Sequence, residues 1–224
     1  MSKKQILFAI IFTVLGLVAF QVTVSKIVGS GQNFTLFEFM GPVGGMFLGP
    51  FLGAVSAFFV RALNVLIFHQ KLDWLTIIRF LPTMLAAAYF GLKTKKTAIV
   101  FPICILLFIL NPIGRQAWLY SMIWLIPFFA TFFKKHLLLN SFGATFTAHA
   151  VGSVIFLYSF GLTPAIWMGL IPVVFIERGV FTIGIFTSCL AFNFVLDKIT
   201  NLKFASALKP FVKQELLFNA GKGN

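Results

Sequence analysis

The feature that most constrains this chain is a near-unbroken succession of apolar runs, at about 5–28, 34–69, 74–92, 97–113, 117–133, 140–161 and 163–197. A helix rising about 1.5 Å per residue needs about 20 apolar residues to cross the hydrocarbon core of a bilayer, and most of these runs have that length. Only 10% of the residues are charged, against roughly 25% in a soluble domain, so the chain has too little polar surface to cover a sphere in water. The expectation is an all-α, polytopic integral membrane bundle of about six to eight segments over residues 1–198, with a polar or amphipathic tail over 199–224.

Two runs decide the topology. Phe34–His69 would measure about 54 Å as one helix, and Gly41-Pro42 and Gly49-Pro50 interrupt it. Proline inside a helix removes a hydrogen bond and clashes with the preceding turn, which predicts a short helix near 37–48, a turn at Gly49-Pro50 and a second helix near 51–69. A single kinked helix is the rival, and Gly45, Gly49, Gly53 and Ala57, small residues four apart, suit close packing along one face in either case. Charge arbitrates. Lys3-Lys4, Lys93–Lys96, Lys134-Lys135 and the tail lysines all fall on one side only if residues 34–69 form a hairpin, and the positive-inside rule makes that side cytoplasmic. Both termini then lie in the cytoplasm of a cell whose plasma membrane holds the protein. In the last run, Thr163-Pro164 reads as a helix start, and Pro172 and Gly179 are expected to bend the helix beyond it. The tail, with its Lys and Phe, reads as a helix on the inner membrane face with a frayed Gly-Lys-Gly-Asn end. The apolar stretch after Lys3-Lys4 continues too far for a signal peptide and is read as a retained first helix.

The excess of 18 basic over 5 acidic residues, a net charge of +13, lies in short clusters between apolar runs. No basic stripe or base-reading motif accompanies it, so it argues for anionic headgroups and against nucleic acid. Cys104 and Cys189 lie inside apolar runs with no CxxC spacing, as small core residues do. No internal repeat is evident, and the 31 phenylalanines read mostly as lipid-facing filler.

Polar residues at membrane depth carry the functional information, because a charge at mid-bilayer costs about 2.5–3.5 kcal/mol and must face an interior or a cavity. They are Glu38, Arg61, Asn64, Arg79, Asn111, Arg115, His149, Glu177, Arg178 and Asn193. Glu177-Arg178 either pairs with neighbouring helices, Glu177 with Arg61 or Arg79, or contacts a ligand. His149, in a stripe with Thr145 and Ser153, is either a hydrogen-bonded core residue or a ligand contact; no second metal-ligating residue accompanies it. Asn111 and Arg115 precede Trp118, Tyr120 and Trp124, which are either an interfacial belt or an aromatic wall for a flat solute. Economy places His149, Glu177, Arg178, Asn111 and Trp118 around one outward-opening cavity with Arg115 at its mouth. With so few acids in the chain, buried arginines are left for an anionic ligand or a lipid headgroup.

The sequence has no GxSxG, HExxH, Walker A or paired-aspartate motif, so a non-enzymatic binding role without metal or cofactor is expected. A stand-alone transporter or channel is the alternative. So is an intramembrane lipid-modifying enzyme, using Glu177 and His149 as an acid–base pair.

The stretch Gly45-Met-Phe-Leu-Gly49-Pro50-Phe-Leu-Gly53-Ala54 resembles the Gly-x-Leu-Leu-Gly-Pro-x-x-Gly-Ala segment of the substrate-binding S components of energy-coupling factor (ECF) vitamin transporters. The resemblance is specific over 34–69 and general elsewhere. It implies capture of a small vitamin-like solute from outside, and transport through a separate transmembrane coupling subunit with two ATPases. It also makes the face carrying Gly45, Gly49, Gly53 and Ala57 a candidate for partner docking.

Overall fold

The computed structural model describes residues 2–27, 32–133 and 135–217, and is nearly all helical. Val28, Lys134 and the Gly-Lys-Gly-Asn end lie outside the described residues. Helix α1 (Lys3–Phe20) starts from a capping box: Ser2 Oγ accepts from the Gln5 amide while the Gln5 side chain accepts from the Ser2 amide. The helix ends well before residue 28. Thr23–Ile27 (β1) pairs antiparallel with Gln32–Thr35 (β2), so the all-α expectation misses one two-stranded ribbon. Its physical basis is the alternating, partly β-branched Val22-Thr-Val-Ser stretch, which suits extended backbone better than helix.

Next come α2 (Phe37–Met40), α3 (Val43–Leu48) and α4 (Pro50–Ile67). Gly49 separates α3 from α4 at φ 84°, a left-handed conformation that side chains disfavour, and Pro50 takes the first turn of α4, where its missing N–H costs nothing. The short α5 (Trp74–Ile78) and α6 (Leu81–Gly91) form one apolar stretch interrupted at Arg79. Then follow α7 (Val100–Leu110), α8 (Pro112–Gln116), α9 (Trp118–Met122), α10 (Leu125–Ala130), α11 (Leu137–Ser159), α12 (Pro164–Gly169) and α13 (Ile171–Thr200). Thr163 caps α12, its hydroxyl accepting from the Ile166 amide at 3.5 Å. Pro172 lies in the first turn of α13, so the chain breaks at Leu170, and α13 runs on through Gly179 as one helix of 30 residues.

Among the described residues, five helical stretches are long and apolar enough to cross a membrane: Lys3–Phe20, Pro50–Ile67, Trp74–Gly91, Leu137–Ser159 and Ile171–Thr200. Trp118–Phe133 is a shorter apolar stretch. Helix α11 is the most enclosed of the five and packs between α6 and α13, while α6 also packs on α4.

The glycine row works inside the chain. A Cβ on Gly53 would lie 2.5 Å from the Cα of Gly45, and one on Gly45 would collide with the carbonyl of Ala87, so α3, α4 and α6 meet backbone to backbone. Ala57 is fully buried, and the space at Gly49 is open. Many phenylalanines are likewise internal: Phe8, Phe12 and Phe47 are buried around Phe192, and the buried Phe211 packs on Phe8. The tail does not lie apart. Its 3-10 segment Lys203–Phe211 packs on α13 and α1, and Asn193 holds the peptide of Lys213 from both sides, donating to its carbonyl at 2.9 Å and accepting from its amide at 2.7 Å.

Candidate functional site

One end of the bundle encloses a cavity of about 670 Å³. It is built from the C-terminal ends of α1, α4 and α11, the N-terminal ends of α6 and α13, the ribbon, and α12. Lys3-Lys4, Lys93–Lys96, Lys135 and Lys198 occupy the other ends of these helices, so the cavity and the lysine clusters lie at opposite poles.

Three polar groups converge on it. In the first, Arg61 on α4 reaches Glu38 on α2, with Nη2 2.6 Å from Oε1, and donates through Nε and Nη2 to Thr83 Oγ1 on α6 at 3.1 and 2.6 Å. The Thr83 hydroxyl donates to the second carboxylate oxygen of Glu38 at 3.2 Å, so all three side chains are interlocked. The rings of Phe20 and Phe37 flank the guanidinium at 5.5 and 5.9 Å. One turn on, Asn64 Oδ1 accepts from Gln21 Nε2 at 2.9 Å, tying α4 to the end of α1.

In the second group, Arg178 is almost completely enclosed. Its Nη2 lies 3.3 Å from Glu177 Oε2, its Nη1 donates to Thr145 Oγ1 at 3.2 Å, and Phe181 and Phe34 face the cation at 4.2 and 5.1 Å. Glu177 therefore pairs with its sequence neighbour. Arg61 takes Glu38, and Arg79 makes no ion pair among the described residues, so neither pairing of Glu177 with Arg61 or Arg79 forms.

The third group centres on His149. Trp124 Nε1, which can only donate, lies 3.1 Å from His149 Nδ1, so Nδ1 is the acceptor and the ring proton sits on Nε2. That nitrogen is 3.0 Å from the hydroxyl of Tyr120, leaving the hydroxyl's own proton for Ser153 Oγ at 3.2 Å. Both imidazole nitrogens are thus engaged by protein, and His149 acts on the cavity by fixing Tyr120. Trp167 stands edge-on to Tyr120, with ring centroids 4.9 Å apart, and completes the aromatic wall.

Of the six residues that the sequence placed around one cavity, His149, Glu177 and Arg178 share this one, and Glu38, Arg61, Asn64 and Arg79, singled out by depth alone, line it as well. Asn111, Trp118 and Arg115 do not line it. The Asn111 side chain caps α8, accepting from the amides of Ile113 and Gly114 at 2.9 and 3.4 Å. Trp118 is 53% exposed, and Arg115 is exposed as well. The helical phase explains the exchange: residues two apart on a helix differ by about 200°, so Tyr120 faces inward where Trp118 faces out. Thr83, Gln21 and Trp167 were not legible as site residues, because Thr83 meets Arg61 and Glu38 only through the packing of α2, α4 and α6. Among the described residues no group of His, Cys, Asp or Glu is arranged to hold a metal ion.

No protein-family model and no solved structure matches the chain. "Uncharacterized protein MJ0923" of Methanocaldococcus jannaschii is similar to it, 26% identical over 219 aligned positions that cover 87% of this chain and 73% of that one.

Proposed function

We propose that the protein is a polytopic membrane bundle that captures a small vitamin-like solute from the outer side, as an ECF S component does. The observation that carries this reading is the cavity itself. Its volume of about 670 Å³ falls in the range of small-solute sites, its walls are aromatic and aliphatic, and a few convergent polar groups interrupt them. Its place at the pole opposite the lysine clusters makes it outward-facing under the positive-inside rule.

The path of the chain supports eight traverses: α1, the short α2–α3, α4, α5–α6, α7, α9–α10, α11 and α13. That even number keeps both termini and the Lys93–Lys96 segment on the cytoplasmic side of the plasma membrane. Transport, in this reading, belongs to a separate coupling subunit with two ATPases, for which the chain serves as the solute-specific part.

Native mass spectrometry of the gently purified protein tests the proposal. A discrete small molecule that survives detergent removal is the expected result. Bare protein, or protein carrying only phospholipid, would contradict it.

A further inference from the structure

We infer that Arg79 anchors an oxyanion group of the solute, so that the cavity selects an acid over its neutral counterpart; this rests on the reading of the cavity as a solute site. Four cationic side chains line the cavity, Arg61, Lys71, Arg79 and Arg178, against two carboxylates, Glu38 and Glu177. Both carboxylates are consumed, Glu38 by Arg61 and Glu177 by Arg178. Arg79 is half-buried at the break between α5 and α6, and its guanidinium makes no hydrogen bond or ion pair with any described residue.

A guanidinium in that position carries five N–H donors in a planar fork whose geometry matches a carboxylate or phosphate bidentately. Arg61 is neutralised by Glu38 and the nearby Asp73 carboxylate is engaged by the Thr76 amide, so an incoming anion meets a guanidinium whose donors no described residue takes, inside low-dielectric walls where charge attraction is strongest. The backbone leading into Arg79 is held by α5. Asp73 caps α5, its carboxylate accepting from the Thr76 amide at 2.8 Å, and the Arg79 amide closes that helix on the Leu75 carbonyl at 3.2 Å. The backbone that carries the anchor is therefore ordered before a solute arrives.

The test uses 2-naphthoate and 2-naphthamide, a flat acid and its neutral isostere, titrated calorimetrically into the full-length protein in phosphatidylcholine nanodiscs. The acid is expected to bind at least tenfold more tightly than the amide. Arg79→Gln brings the acid down to the affinity of the amide without changing the latter, and Arg79→Lys, which keeps the charge and loses the fork, falls between. Because Arg79 supports no other side chain, both variants should keep the thermal stability of the unaltered protein. Equal affinity for acid and amide in the unaltered protein overturns the inference and leaves the solute site standing; binding of neither overturns both. A preference for the acid that survives Arg79→Gln assigns the anion to another cation and removes Arg79 from this role. Anionic phospholipid that co-purifies with the unaltered protein and not with Arg79→Gln makes the oxyanion a headgroup and overturns the solute.

Discussion

The guanidinium of Arg178 lies 3.3 Å from the carboxylate of Glu177, the residue that precedes it in the same helix. Adjacent helical residues diverge by about 100°, so the two side chains must curl toward one another to meet. The Arg178 side chain is only 3% exposed and no other carboxylate among the described residues pairs with it, so Glu177→Gln strands a buried cation. A loss of about 3 kcal/mol in unfolding free energy is expected, with most of it recovered in the double variant Glu177→Gln/Arg178→Met. Denaturant unfolding in detergent measures both, and an unchanged Glu177→Gln variant would contradict the pairing.

Gly45 and Gly53 give a second, sharper expectation. Because α3, α4 and α6 touch through backbone at these positions, Gly45→Ala and Gly53→Leu should abolish folding or lower the melting temperature severely. Gly169, beside which a Cβ meets nothing within 4 Å, serves as the control and should accept alanine. Thermal scans of the three variants separate the outcomes. Tolerance of Gly45→Ala would refute the close approach.

Asp73 sets a pH dependence outside the membrane-spanning stretches. The hydrogen bond from the Thr76 amide favours the charged form and holds its pKa below the ordinary 3.8. A carboxylate depressed in this way contributes order that is fully present above pH 3.8 and disappears as pH falls through its own lower pKa. Amide exchange at Thr76, corrected for its intrinsic rate, should therefore accelerate only below that value. Asp73→Ala should show the fast rate at neutral pH and weaken solute binding by loosening the segment that carries Arg79.

Orientation is tested by cysteine labelling in intact cells. Gln116→Cys should react with an impermeant reagent, and Thr94→Cys only after the membrane is opened. The reverse pattern would turn the cavity toward the cytoplasm.

Local signals explain what could be read from sequence. The breaks at Gly49-Pro50 and Thr163-Pro164 were legible because a left-handed glycine, a first-turn proline and a capping threonine each act within a few residues. The ribbon was not, since Val22-Thr-Val-Ser reads as a continuation of an apolar helix; the glycines of Gly29-Ser-Gly31, between two short alternating stretches, were the available turn signal. The partnership of Arg61 with Glu38 was also hidden. It depends on how α2 and α4 meet, and several acid–base pairings satisfy charge equally well from sequence alone. Depth identified His149, Glu177 and Arg178, whereas helical phase, which fixes the direction of a side chain, decided between Trp118 and Tyr120.

Gly152 offers the most direct test of the solute-binding cavity. It lines the cavity on α11, and a Cβ built there meets only Cγ of Pro82, at 3.8 Å, so a side chain can start at this position without displacing backbone. Native mass spectra of the unaltered protein and of Gly152→Phe, purified side by side from the same cells, are the measurement. The unaltered protein should carry a discrete small molecule that Gly152→Phe lacks, while Gly152→Phe still unfolds in one cooperative thermal transition, lowered only by the loss of the bound solute. The same small molecule on both proteins, or on neither, would contradict the account.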